Sequence, residues 1–327
     1  MRALLVTQGS TGDVFPVIAL GRAIHEAGGQ AVIATSGLFR EDVERAGLGF
    51  LDLPPDWSQA EFAEVMKGLN RASNPLSQLC LIYNTFRPYF RSHIERIEQA
   101  AAEADILVAS YLLPFLGEVA ARVGIPFAVT SFCHSPIPSP DYPPDNLPHL
   151  SWLPRTLSTA WNRLGWFAAD TVISAGLNRV IGSDLKACSL SPIRRFCSEP
   201  APLALVTVSP ALMKPDARID PRFCFSGYLR HQPPEDPVLA ARLDAFCAEG
   251  KVPVLTFGSV VSDNSPAQFR TFLSNWPRGQ QLIVQAGWAE FTVPEDRPEI
   301  LGLGKTNHDL LFRYASVVMH HGGAGTT

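Results

Sequence analysis

The chain has no paired cysteines, no long apolar run and little net charge, and each of these absences closes a class of function. Its six cysteines (Cys80, Cys133, Cys188, Cys197, Cys224 and Cys247) form no C-x-x-C pair and no cluster with histidines. Neither a zinc site nor a disulfide framework is indicated, and they read as reduced thiols of a cytoplasmic protein. The opening stretch "MRALLVTQGS" has a short apolar run that Thr7 and Gln8 break, too short for a secretory signal core or a membrane span. A net charge of -4 gives no overall attraction to nucleic acid, so no nucleic-acid partner is expected, although a local basic patch can escape such a sum. There is no sequence repeat of the kind that builds a solenoid and no low-complexity tract.

What is present is a rhythm. With 327 residues, 46% of them hydrophobic, the chain can bury a large core, and its length suggests about two domains. Short apolar runs, "ALLVT", "AVIAT", "ILVAS" and "PFAVT", read as buried strands separated by helical spacing. The rhythm restarts at "VPVLTF", "QLIVQAG" and "ASVVMH", after a proline-rich stretch "YLRHQPPEDP" that reads as a linker. The expected fold class is α/β, with two Rossmann-like, doubly wound parallel sheets. The expected boundaries are 1–228 for the first domain, 229–237 for the linker and 238–327 for a partial second domain.

The first motif, "TQGSTGDVFP", ends the first strand. Gly9, Ser10, Thr11 and Gly12 form a strand-loop-helix corner, and Pro16 is expected in the first turn of the following helix, where its missing N–H costs nothing. Ligands of open parallel sheets bind at such corners. It is not a dinucleotide fingerprint: G-x-G-x-x-G is absent, Phe15 stands where a third glycine is wanted, and "IATSGL" supplies no acid for a ribose. Asp13 is the one ionisable side chain in the corner. It is either a helix N-cap or, kept ionised by the helix N-terminus, a base that takes a proton from an attacking hydroxyl.

The second motif, "HHGGAGTT", follows the last apolar strand. Gly322, Gly323 and Gly325 would let backbone N–H groups point at a phosphate, Thr326 and Thr327 offer hydroxyls, and His321 offers a hydrogen bond or a positive charge. The alternative is a tight glycine turn with a structural histidine. "TFGSVV" places Gly258 and Ser259 at the end of another strand, a second candidate loop on the same sheet edge.

Together, "GSTGDVFPVIALGRAIHEAGGQAVIAT" and "VVMHHGGAGTT" resemble the GT-B glycosyltransferases that include the sterol glucosyltransferases, the antibiotic glycosyltransferases and the rhamnolipid-forming rhamnosyltransferases. The resemblance implies two domains facing a cleft and transfer of a hexose from a UDP- or dTDP-sugar with inversion. It implies that Asp13 deprotonates the acceptor hydroxyl in an acceptor-binding first domain. His321, Gly323, Gly325, Thr326 and Ser259 match the residues that hold the donor's diphosphate. The chain departs from the family at Asn307, where a proline is usual before the last helix, and with Trp288 this position is a weak candidate for the nucleobase pocket. Family members continue beyond the glycine loop, so the chain is expected to be part of a longer protein and not to transfer sugar as it stands. Two other readings stay open: a nucleotide-sugar epimerase of the same fold, and a non-enzymatic nucleotide-sugar or lipid-binding module.

The acceptor side is expected in the proline-rich loop "CHSPIPSPDYPPDNLPHLSWLP", with His134 as an orienting group. The acceptor is expected to be apolar: a lipid, a sterol or a polyketide. Leu153, Leu157, Trp161, Leu164 and Ala168 keep helical spacing and read more readily as core than as pocket. Arg87, Arg91 and Arg96 form a basic helical face that reads as solvated, with peripheral contact to a membrane as the alternative. Displacing a diphosphate needs charge stabilisation from a metal or from fixed dipoles, and the chain has no D-x-D. No metal and no cofactor are therefore expected, and transfer should survive a strong chelator. Loss of activity on chelation, restored by magnesium or manganese, would overturn that expectation.

Overall fold

The structure is a computed structural model that describes residues 1–72, 74–145, 147–213, 216, 218–256, 264–286, 292–304, 306–323 and 326, with the backbone alone for Gln59 and Ser265. By contacts the chain divides into two compact units. One comprises Met1–Gly9, Asp13–Trp57 and Ala72–Leu229; the other comprises Ser10–Gly12, Ser58–Arg71 and Arg230–Thr327.

In chain order the elements are β1 (Arg2–Val6), α1 (Thr11–Glu26), β2 (Gln30–Thr35), α2 (Arg40–Arg45), β3 (Gly49–Asp52), α3 (Gln59–Arg71), α4 (Pro75–Phe86), α5 (Phe90–Ala101), β4 (Ile106–Ser110), α6 (Leu116–Val123), β5 (Phe127–Ser131), α7 (Arg155–Ala187), β6 (Leu203–Val206) and β7 (Phe223–Phe225). There follow α8 (Pro237–Phe246), β8 (Val252–Thr256), α9 (Ser265–Asn275), β9 (Leu282–Gln285), β10 (Ile300–Leu303), α10 (His308–Leu311) and β11 (Ala315–His320). The first sheet has seven strands in the order β3-β2-β1-β4-β5-β6-β7, and the second has four in the order β10-β9-β8-β11. Every pairing is parallel. Both sheets are thus doubly wound, as the alternation of apolar runs and helical spacing predicts.

The strands form from β-branched runs because both faces of the first sheet are covered. Ala3 and Leu5 face a cluster with Val14, Val17 and Ile18 of α1, whereas Leu4 and Val6 face the other side with Ile94 and Ile97 of α5 and Leu177 and Ile181 of α7. Burying each of the Val, Leu and Ile side chains among them is worth about 1.5–3 kcal/mol. In the second sheet, β11 is an edge strand paired with β8, and Val317 is exposed. This corrects the expectation that "ASVVMH" is buried: one neighbour is present where a central strand has two.

Two further expectations are overturned. Pro16 lies inside α1, well beyond the first turn. Its missing N–H leaves the Gly12 carbonyl without a helical partner, which is tolerated because Gly12 is exposed. The stripe of Leu153, Leu157, Trp161, Leu164 and Ala168 is not core. The buried face of α7 is instead Asn162, Gly165, Trp166, Asp170, Ser174, Leu177, Ile181 and Leu185. Tertiary packing has chosen the face with Asn162 and Asp170 because both side chains find partners there: Asn162 Nδ2 donates to Pro140 O, and Asp170 accepts from the N–H groups of Cys197 and Ser198.

The arginines expected on a solvated face are tied down within the chain: Arg87 Nε donates to Asp184 (2.8 Å), Arg91 to Ala187 O (3.2 Å) and Arg96 to Asp52 O (2.8 Å). Between Arg96 and this helix surface His93 is buried and bonds to Pro54 O. Burial pushes its imidazole down to about 4, with the Arg96 charge acting in the same direction and the Pro54 bond against it. The unfolded chain, with an ordinary histidine near pH 6.5, takes up this proton first. Stability is therefore retained above pH 6.5 and falls as pH drops toward 4, by up to about 1.4 kcal/mol per pH unit from this group. Urea midpoints measured at pH 7.5 and 5 should differ in that direction, and His93→Gln should flatten the dependence.

Candidate active site

In the first sheet the strand order reverses between β1 and β4, so the loops after these two strands diverge and leave a crevice at their carboxyl ends. The loop after β1 carries the first sequence motif. Gly9 has φ +138, and a Cβ there would meet Asp13 Oδ2 at 2.3 Å. The Asp13 carboxylate therefore lies directly against the glycine backbone, in space that only glycine leaves open. The α1 cap is not Asp13. Ser10 Oγ accepts from Gly12 N (3.2 Å), the hydroxyl-to-backbone bond of an N-cap, while Asp13 sits in the first turn. Thr7 Oγ1 fixes the turn from beneath by donating to the Asp13 carbonyl (3.0 Å).

Two side chains that the sequence did not single out stand around Asp13. Tyr111 follows β4 and Cys133 follows β5. Burial raises the Cys133 thiol to about 11, and the Asp13 charge adds to the shift. Tyr111 is held well above its ordinary value by burial, with Cys133 and Asp13 contributing. Both therefore stay protonated at neutral pH beside the Asp13 carboxylate. His134, adjacent to Cys133, is exposed in a turn closed by Ile137 N donating to its carbonyl (2.9 Å). The same crevice holds a narrow cleft lined by Gln8, Ile82, Tyr83, Phe86, Ser110, Leu112 and Leu113. Gln8 Nε2 donates to Leu53 O (3.1 Å), but Gln8 Oε1 is buried without a partner among the described residues. Such an atom costs energy unless a ligand or water donates to it.

In the second sheet the order reverses between β8 and β11, which puts the start of the glycine loop after β11 at its switch point; the predicted loop after β8 lies outside the described residues. Ser259, Gly325 and Trp288 lie outside the described residues. Of the others, Gly322 has φ +82, and a Cβ on Gly323 would meet His321 Nε2 at 2.2 Å, so the imidazole folds onto the glycine backbone. Thr326 N donates to Gly323 O (3.0 Å), closing a turn. Gly322 N donates to His320 Nδ1 (3.2 Å). Loss of water around His321, and then the charge of His320, lower its pKa, so the ring is neutral at pH 7 and does not offer a standing positive charge.

Beside this loop, the ends of β8 and β9 carry a buried polar network absent from the sequence reading. Thr256 Oγ1 donates to Gln285 Oε1 (2.7 Å), His308 Nε2 donates to the same oxygen (2.9 Å), and Gln285 Nε2 donates to Thr306 O (3.1 Å). Asn307 is engaged structurally: its Oδ1 caps α10 by accepting from Asp309 N and Leu310 N, and its Nδ2 donates to Pro233 O (2.6 Å). The stretch read as a linker is likewise fastened to α10, with Gln232 Oε1 accepting from His308 N and Glu235 bonded to Arg313. Among the described residues no cluster of three His, Cys, Asp or Glu side chains could hold a metal, and no helix is long and apolar enough to cross a membrane.

The electrostatics of the glycine loop can be checked directly. In an NMR titration the His321 ring should protonate below the ordinary 6.5, and His320→Gln should move it part of the way back, since desolvation remains while the neighbouring charge is gone. No change on removing His320 would refute that coupling.

No family model matches the chain. Its sequence is 29% identical over 336 residues to glycosyltransferase GtfE and 28% identical over 338 residues to vancomycin aglycone glucosyltransferase, both of Amycolatopsis orientalis, with 100% of this chain and 77% of each relative covered. It is 27% identical over 346 residues to sterol 3-beta-glucosyltransferase of Candida albicans, covering 99% of this chain and 22% of that protein. Among solved structures, SnogD from Streptomyces nogalater superposes with a TM-score of 0.63 at 16% identity over 100% of this chain and 78% of its own. SsfS6 of Streptomyces sp. SF2575, complexed with thymidine diphosphate, gives 0.59 at 18% identity over 100% and 78%. Arabidopsis thaliana UGT89C1, complexed with UDP, gives 0.60 at 14% identity over 99% and 76%. The chain is thus similar to glycosyltransferases along the whole of its length, and its two doubly wound sheets share the fold of the solved ones.

Proposed function

We propose that this protein moves a hexose from a UDP- or dTDP-sugar to a hydroxyl of an apolar acceptor, without a metal and with inversion at the anomeric carbon. Residues 1–228 take the acceptor and residues 238–327 hold the donor's diphosphate. The observation that carries the reading is the Asp13 carboxylate, in the first turn of α1 and laid over Gly9 at the switch point of the first sheet. The relatives support the substrate classes: one is named for a glycopeptide aglycone and one for a sterol, and two neighbours by fold were solved with thymidine diphosphate or UDP. The side chains of Ile82, Phe86, Leu112 and Leu113 make the wall beside Gln8 apolar, which suits an apolar acceptor, although the cleft among them, about 10 Å³, has room only for a water-sized group that could donate to Gln8 Oε1.

In this mechanism Asp13 accepts the proton of the acceptor hydroxyl as its oxygen bonds to the anomeric carbon. The bond from that carbon to the diphosphate breaks with its electron pair going to the phosphate oxygen. The ring of His321 meets the developing charge, joined by the Gly322 N–H once the phosphate displaces His320 Nδ1 from it. Tyr111 and Cys133, both protonated, bring no second negative charge to compete with Asp13 for the proton.

Asp13→Asn should lower turnover by about a hundredfold or more, the usual loss when a general base is removed, while binding of UDP or dTDP changes little. The measurement compares released nucleoside diphosphate with calorimetric titration in a version of the chain extended to the length of its relatives. Near-normal turnover of the variant would remove Asp13 from the chemistry.

A further inference from the structure

The outer face of α7 is apolar and uncovered. Leu157 is 55% exposed, Leu164 61%, Phe167 67% and Val172 57%, and Trp152, just before the helix, is 77% exposed. At about 100° of rotation per residue, Leu157, Leu164, Ala168 and Ala175 fall on one line along the helix, flanked by Trp161 and Val172 on one side and Phe167 on the other. The stripe runs for about five turns. An exposed apolar face of this length is unfavourable in water and marks a place where something else binds.

Charge identifies the occupant. Beyond Ala175 the same line carries Arg179 and Lys186, and Arg163 lies next to Phe167 around the helix. None of these three cations has an ion pair among the described residues. The two acids of α7 are both used internally: Asp170 is buried on the N–H groups of Cys197 and Ser198, and Asp184 is bonded to Arg87. Arg155, at the start of the helix, lies 3.9 Å from Asp141. Every unpaired charge that α7 shows to solvent is thus positive, on a chain whose net charge is -4.

We infer that the outer face of α7 docks on a lipid bilayer containing anionic headgroups. An amphipathic helix with Trp, Phe and Leu on one face and Arg or Lys beside them lies in the plane of such an interface. Here the apolar line enters the acyl boundary, Trp152 anchors at headgroup level, and Arg163, Arg179 and Lys186 meet the phosphates. A second copy of the chain fits less well, because two such faces packed about a two-fold axis would set these unpaired cations against one another with no acid on the helix to separate them. The inference places membrane contact on the outer face of α7 and not on Arg87, Arg91 and Arg96, which are bonded within the chain, and does not depend on the proposed transfer chemistry.

The test is flotation of the full chain with vesicles of phosphatidylcholine alone or of phosphatidylcholine containing phosphatidylglycerol. The chain should float with the mixed vesicles and bind at least about tenfold more weakly to phosphatidylcholine alone. Leu164→Ser with Phe167→Ser should weaken binding by about tenfold or more. Both positions are exposed, so circular dichroism and the thermal midpoint should stay unchanged, which separates lost docking from lost folding. Arg179→Gln with Lys186→Gln should weaken binding to the mixed vesicles selectively. The proposal is overturned by absence of flotation with both compositions, or by equal flotation of wild type and the Leu164, Phe167 double variant. It is also overturned if light scattering shows a dimer that this variant dissociates while no vesicle is bound, which would assign the face to a second copy.

Discussion

The corner at the end of β1 depends on one close approach: the Asp13 carboxylate occupies the place where any residue but glycine at position 9 would put its side chain. Everything around the corner is arranged to allow this. Gly9 adopts a backbone conformation closed to L side chains. Ser10 satisfies the helix N-terminus, and Thr7 holds the Asp13 carbonyl from the strand side. The glycine loop of the second sheet repeats the device with a different chemistry, since His321 folds onto Gly323 as Asp13 folds onto Gly9. In each unit a polar side chain is positioned by the absence of another side chain, at the point where the strand order reverses.

This shared device explains why the two motifs were legible in the sequence. Glycine spacing after a strand and before a helix is a local signal, and it survives without knowledge of the partner elements. The buried strands were legible for a similar reason: runs such as Leu4 to Val6 and Ile106 to Ala109 are apolar on both faces because both faces are covered. The strands β3, β6, β7 and β10 were not seen. They have three or four residues each, and Gly49, Cys224 and Gly302 interrupt their apolar pattern. Runs of that length become strands through their neighbours in the sheet, not through propensity.

What the sequence hid is what distant segments bring together. Tyr111 and Cys133 are ordinary residues after ordinary strands, and only the order β1-β4-β5 sets them beside Asp13. Gln285 reads as the polar end of a strand until Thr256, His308 and the Thr306 carbonyl close around it. α7 misleads in the opposite way. It has apolar residues on two faces, and the more regular stripe is the exposed one, because the packed face includes Asn162 and Asp170 with partners that no periodicity reveals. A helix 33 residues long therefore gives the sequence two plausible insides, and packing selects the one with satisfied polar groups.

The titrations suggest how the two proposed halves of the chemistry divide the work. On the acceptor side burial keeps Cys133 and Tyr111 protonated, and the Asp13 charge adds to the shift of both. On the donor side the positive charge is not standing, because burial and His320 keep His321 neutral at pH 7. A diphosphate bound at Gly322 and Gly323 reverses the balance around that ring, since an anion nearby favours the imidazolium. The positive charge would then appear only with the donor present, and it would grow as the leaving phosphate gains charge.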